Sequence, residues 1–222
     1  MERIKTFFRH YPEVYEHTMR VMELATSFAI YLGYSPREIS IIRRGTLLHD
    51  IGKLFVPRKI LFKVEQLTKE DFEIIKNHPK WGYEFLLTGI HPELESLLID
   101  ENIELFNTVQ KGYNILKEEN LSLSVEILLI VIQHHERIDG KGYPFGLSGD
   151  LIHPYVKLVS FCDVYDAITS KRCYKPSLDS EYALRCIEEG LETQFDKVVG
   201  KKFLFFVREV WKNNNDIGLT IF

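Results

Sequence analysis

The sequence predicts an all-α protein, a bundle of amphipathic helices interrupted by one irregular loop. Three observations carry that expectation. Apolar residues recur at helical spacing in one segment after another, and capping residues precede several of those segments. Turn-forming residues concentrate in a single stretch, Asp139–Gly149, which holds four glycines and a proline.

The elements follow in order. From Val14 to Tyr31 the residues Val14, Val21, Leu24, Ala25, Phe28 and Ala29 mark one apolar face, and Gly33 supplies a stop. Ser35 reads as an N-cap with Pro36 at the first helical position, opening a helix through Leu48. Thr68 starts another helix, with Asp71 three residues on in an imperfect capping box; it is expected to run close to Asn77, where Pro79 interrupts it. Between Gly89 and Leu123, the residues Ile103, Phe106, Val109, Tyr113 and Leu116 predict an added amphipathic helix or pair, an insertion over 90–123. The run Val125–Ile132 is too apolar for periodicity to separate a buried strand from a buried helix, and its neighbours favour a helix. Lys157–Ser170, Ser180–Gln194 and a C-terminal helix over 201–213 complete the series. No internal repeat or low-complexity linker divides the chain, so 1–222 is expected to be one domain.

Composition narrows the function classes. With 222 residues the chain is long enough to bury a sizeable core without staples. Its 45% hydrophobic and 27% charged residues are those of an ordinary globular protein, and a net charge of −4 argues against a nucleic-acid polymer as partner. No stretch approaches the apolar length of a membrane segment, and residues 1–12 lack an apolar core of signal-peptide length. Cys162, Cys173 and Cys186 are odd in number and lack zinc or redox spacing, which points to a reducing, cytoplasmic setting.

The chemistry concentrates in imidazoles and carboxylates. Glu13 and His17 are four apart and share a helix face. His49 and Asp50 stand beside the apolar Leu47-Leu48, with Lys53 three residues after Asp50, where its ammonium can hold a phosphate oxygen or simply pair with the carboxylate. His78 precedes Pro79. His134 and His135 end an apolar run and open the glycine-rich loop, a common place for functional side chains on a rigid support. Asp163 and Asp166 lie in a segment too apolar to leave two carboxylates idle; Asp163 is assigned as a ligand and Asp166 as its support or an additional ligand. Taken singly, most of these residues are more often core or surface groups. Together, in this order, they supply the nitrogen and oxygen donors of a metal cluster.

These residues also carry a resemblance. His49-Asp50 with Gly52-Lys53, His78-Pro79 with Gly82, His134-His135-Glu136, Asp139-Gly140-Lys141-Gly142-Tyr143-Pro144, Asp163 and Asp166-Ala167-Ile168-Thr169-Ser170 together resemble the HD-GYP branch of the HD-domain phosphohydrolases, over about Glu13 to Val199. The resemblance implies an HD-domain helical bundle with a glycine-rich GYP loop and extra helices inserted between His78 and His134. It implies a metal-dependent phosphodiesterase that opens cyclic di-GMP to linear pGpG and onward to GMP, with hydroxide from a metal-bridging water attacking phosphorus. His17, His49, Asp50 and Asp163 would hold one metal, and Asp50, His78, His134 and His135 the second. Glu13 matches a carboxylate that supports a third, so two or three divalent ions are implied, iron or manganese by family habit. Lys53 and Asp50 would be catalytic; Lys53, Arg172, Lys175 and Tyr143 would contact the substrate. Cys173 stands where the family usually has proline, and Lys157 replaces a common arginine.

Two rival readings stay open: an HD-type hydrolase of another cyclic dinucleotide or nucleotide, and a catalytically silent module that senses the nucleotide and binds a diguanylate cyclase. A regulatory domain partner and a homodimer are further expectations.

Overall fold

A computed structural model describes residues 8, 11–89, 123–171 and 177–211. Among them the chain is helical, with no β-strand beyond isolated bridges at Asp139–Ser148 and Leu191–Phe195. The helices are α1 Pro12–Tyr31, α2 Pro36–Leu48, α3 Arg58–Leu61, α4 Lys69–Ile75, α5 His78–Thr88, α6 Val125–Gln133, α7 Pro154–Thr169, α8 Ser180–Glu189 and α9 Lys197–Phe206. A 3₁₀ turn, Ile51–Phe55, follows α2, and a π-helical turn, Val207–Trp211, extends α9.

Local chemistry sets the ends of these elements. Ser35 accepts from the Glu38 amide while the Glu38 carboxylate accepts from the Ser35 amide, a reciprocal cap that opens α2. The same box closes on Thr68 and Asp71, so the expected imperfect cap is complete. Proline has a different role from the one expected of it here. The helix from Thr68 already ends at Ile75, and Pro79 sits in the first turn of a new helix, α5, where its missing N–H costs nothing. Likewise α8 stops at Glu189 rather than at Gln194, because Gly190 packs against the Phe195 ring and the chain doubles back there. The last helix begins four residues earlier than expected, since Asp196 accepts from the Val198 and Val199 amides and caps it. Residues 90–122 of the insertion expected over 90–123 lie outside the described residues, as do 212 and 213 of the C-terminal helix.

Two apolar clusters hold the bundle. One joins α1, α2, α6, α7, α8 and α9 around Phe28, Phe161, Phe203 and Phe206. Phe28 is fully buried, and truncating a phenylalanine in such a place costs about 3–5 kcal/mol. The other joins the start of α1 to the 3₁₀ turn, α5 and α6 around Tyr11, Leu54, Phe55 and Phe85. Helices α1, α2 and α6 contribute to both clusters, so their orientation is fixed from two sides.

Candidate metal centre

Helix ends build the site. The last carbonyls of a helix have no partner within it, and three of them are taken by histidines three residues further on. His49 Nδ1 donates to the Thr46 carbonyl at 2.6 Å, His78 Nδ1 to Ile75 at 2.8 Å and His134 Nδ1 to Val131 at 2.9 Å. A neutral imidazole that donates through Nδ1 keeps its lone pair on Nε2. All three Nε2 atoms therefore present lone pairs inward, and His78 and His134 bring theirs to 3.1 Å of each other.

Asp50 lies among them, fully buried just after the end of α2. Its Oδ2 faces His49 Nε2 at 3.4 Å and His17 Nε2 at 3.5 Å, while Oδ1 faces His78 Nε2 at 3.3 Å and His134 Nε2 at 3.7 Å. Each oxygen thus addresses a different pair of imidazoles. Asp163 from α7 approaches His17 Nε2 at 3.1 Å. His135 completes the second side, its ring 4.2 Å from that of His134 and 5.0 Å from that of His78. Glycine makes this approach possible. A Cβ on Gly52 would overlap the His78 carbonyl and lie 2.6 Å from the Gly82 nitrogen, so the turn after Asp50 nests directly on the start of α5.

His17 has a different support. Its Nδ1 donates to Asp166 Oδ2 at 2.6 Å, and Asp166 in turn accepts from Arg20 Nε at 2.6 Å and from the Ser170 hydroxyl at 2.8 Å. Asp166 faces the back of the ring, a position that suits a support more than an additional donor. The cation that Asp166 meets is Arg20, one turn from His17 on α1.

The electrostatics follow from burial and proximity. Burial drives His49, His134 and His135 down, His135 to about 3, with neighbouring imidazoles adding to the effect in His134 and His135. These rings are neutral donors near neutral pH. Burial also opposes ionisation of Asp50, but Lys53, His49 and His78 outweigh it and hold the carboxyl well below the usual range. Asp163 is likewise held down, against its burial, by His17. Burial pulls His17 down, yet its contacts with Asp163 and Asp166 prevail and leave it raised.

These groups fit metal ions. The buried atoms His17 Nε2, His49 Nε2 and Asp50 Oδ1 lie near charged neighbours but make no well-directed hydrogen bond. Leaving such atoms unsatisfied is costly, and a cation between them resolves the cost. Among the described residues two groups are compact enough to hold an ion: His17, His49 and Asp50, and His78, His134 and His135, each with donor atoms within 4.8 Å of one another. Nitrogen and oxygen donors of this mixture suit iron, manganese or zinc.

The remaining expected residues divide. Lys53 forms a 2.6 Å ion pair with Asp50 Oδ2, the simpler of its two anticipated roles, and lines two adjoining hollows. Glu13 is exposed on the rim of the smaller one, a recess of about 80 Å³ that also touches His17, Asp50 and Lys171, but it belongs to neither compact donor group. Tyr143 lies at the larger hollow, of about 620 Å³, and stacks on His135 with ring centroids 4.7 Å apart. Arg172 and Lys175 lie outside the described residues.

Glu136 is the residue whose role sequence reasoning missed. Buried beside the two histidines, its carboxylate accepts from the Phe145 and Leu147 amides at 2.7 and 2.9 Å and pins the glycine-rich loop. A Cβ on Gly142 would come within 2.6 Å of the His135 carbonyl, so only glycine brings the loop this close. The signal was present as an acidic residue directly after the histidine pair, ahead of a loop rich in unpaired amides.

A helical bundle with two histidine groups about one aspartate defines an HD-domain protein, and two HD-domain family models match the chain, over residues 14–104 and 91–199. The chain belongs to the HD-domain family. Its branch is HD-GYP, with His49-Asp50, His134-His135 and Gly142-Tyr143-Pro144 in order. It is 33% identical over 196 residues to a cyclic di-GMP phosphodiesterase of Vibrio cholerae, covering 85% of this chain and 35% of that protein. It is 34% identical over 165 residues to the cyclic di-GMP phosphodiesterase response regulator RpfG of Xanthomonas campestris, covering 74% and 36%. The chain thus spans about a third of the length of these relatives. A solved HDGYP protein of Bdellovibrio bacteriovorus shares the fold, with a TM-score of 0.62 at 19% identity over 88% of this chain and 52% of that one. Among the described residues no helix is long and apolar enough to cross a membrane.

Proposed function

We propose that the chain is a metal-dependent phosphodiesterase that hydrolyses cyclic di-GMP to linear pGpG, with GMP as the further product. The observation that supports this most directly is Asp50, whose two oxygens address two separate imidazole groups. The relatives named above, similar over most of this chain, direct the reading to a cyclic dinucleotide. His17, His49, Asp50 and Asp163 would hold one ion and Asp50, His78, His134 and His135 a second; Glu13, on the recess rim, would support a third. When bound, divalent ions, iron or manganese by the family resemblance, supply Lewis acidity and lower the pKa of water.

The chain's own groups do the rest. Asp50 joins the two donor sets, and its burial keeps bulk water from competing for its oxygens. Lys53 lines both hollows, and its ammonium would hold a phosphate oxygen as charge develops there. Tyr143, fixed against His135, walls the larger hollow. Arg172 and Lys175, as basic residues, would grip the substrate's phosphates. The cytoplasmic setting, the diguanylate cyclase or regulatory partner and the homodimer rest on composition and resemblance and belong to the same proposal.

The test is to purify the protein without oxygen or chelator, count metals by mass spectrometry and incubate it with cyclic di-GMP beside an Asp50→Ala control. At least two ions per chain and linear product from the parent alone are expected. Sub-stoichiometric metal with no linear product would overturn the proposal. Parallel incubations with cyclic GMP-AMP and cyclic di-AMP decide the substrate.

A further inference from the structure

The larger hollow has a wall that no metal chemistry explains. Val64, Leu67 and Phe72 line it and are 66%, 38% and 45% exposed, three sizeable apolar side chains turned toward solvent within nine residues. Hydrophobic side chains gathered at the mouth of a concave site mark a surface that something covers. The same hollow is lined by His78, His135 and Lys53, so whatever occupies it meets the metal centre directly. Its volume of about 620 Å³ lies within the range of about 300–1,000 Å³ typical of small-molecule pockets.

The rings are arranged unequally. Tyr143 already has His135 on one face and the Lys76 ammonium 6.0 Å from its centroid. Lys76 also stands 4.9 Å from the Phe72 ring and is held by Glu73 at 2.6 Å. Phe72 sits on α4, whose start is fixed by the Thr68–Asp71 box and by Lys63 bonded to Asp71 at 2.6 Å. An aromatic ring open to solvent with a cation beside it is a platform for another flat π system.

We propose that the wall formed by α4 and the segment before it is a nucleobase subsite, in which Phe72 stacks on a purine of the substrate while Val64 and Leu67 cover its edge. This rests on the cyclic dinucleotide reading above, since that substrate brings purine rings next to the phosphate presented to Asp50 and Lys53. The wall would fix where the base lies and thereby hold one of the two equivalent phosphodiesters at the metal centre, making Phe72 a substrate-positioning residue.

The experiment measures by calorimetry the affinity of the metal-loaded protein for GMP and of the metal-stripped protein for cyclic di-GMP, in the parent, Phe72→Ala and Phe72→Trp, alongside hydrolysis by the metal-loaded parent. Losing one base–aromatic stack of about 1–3 kcal/mol corresponds to roughly 5- to 150-fold in affinity. Phe72→Ala is expected to weaken both ligands by about that factor, with Phe72→Trp restoring it. Equal affinity in the parent and Phe72→Ala overturns the subsite, and so does a parent that binds neither nucleotide. If the parent binds cyclic di-GMP in a Phe72-dependent manner and the metal-loaded parent does not cleave it, the subsite stands and the proposed activity falls.

Discussion

At the residue scale, the centre depends on which nitrogen each imidazole turns inward. His49, His78 and His134 are oriented by helix-end carbonyls, whereas His17 is oriented by a carboxylate. An ionised carboxylate behind a ligand histidine raises its basicity, and loss of such a partner typically weakens metal binding about 10–100-fold. Asp166→Asn is expected to do this through His17, because the amide removes the charge and can turn its NH₂ toward the ring. Chelator competition on the purified variant measures the change; an affinity equal to the parent's would show that Asp166 merely packs. The donors themselves were legible in the sequence, since His49, Asp50, His78, His134, His135 and Asp163 all reach one region. The Arg20 contact was not legible, because Arg20 and Asp166 are separated by 146 positions and only the packing of α1 on α7 brings them together.

At the element scale, the site is a set of helix ends pressed together, and glycine sets how closely. Gly52→Ala would drive a methyl group into the His78 carbonyl, where no flexible side chain can give way. Overpacking of this kind costs about 1–3 kcal/mol, and the variant should melt several degrees lower. Its metal content should fall as well, because Asp50 and His78 would separate. Differential scanning calorimetry with metal analysis tests both, and an unchanged melting temperature with full metal would refute the nesting of turn on helix. Element existence was largely visible from caps and periodicity, as α1, α2 and α6 show. Ends were less visible. Pro79 reads as a breaker in sequence, but its cost vanishes in a first turn, and a linear scan cannot distinguish the interior of one helix from the start of the next. The glycine-rich loop was recognisable as irregular, while its anchor, Glu136, needed the fold to show where the Phe145 and Leu147 amides point.

At the scale of the whole molecule, the metal centre ties α1, α2, α5, α6 and α7 together between residues drawn from distant parts of the chain. Ions bound to the folded chain alone stabilise it by mass action, about 2.7 kcal/mol at a free ion concentration one hundred times Kd. For a chain of this size that is roughly 5–10 °C in melting temperature. Exhaustive chelation should therefore lower the melting temperature by about that much, and adding manganese should restore it. No shift in either direction would mean that the inward-facing lone pairs are satisfied without metal. The helical class and the ordered ligand set were legible because they reside in local patterning. The two hollows and the apolar wall of Val64, Leu67 and Phe72 were not, because concavity is a property of packing.

The central claim is that Asp50 stands between two cation positions. Anomalous X-ray diffraction from crystals loaded with manganese tests it most directly. Two scattering peaks are predicted, one among His17, His49, Asp50 and Asp163 and the other among Asp50, His78, His134 and His135. A single peak remote from Asp50, or none with the Lys53–Asp50 ion pair intact, would contradict the account.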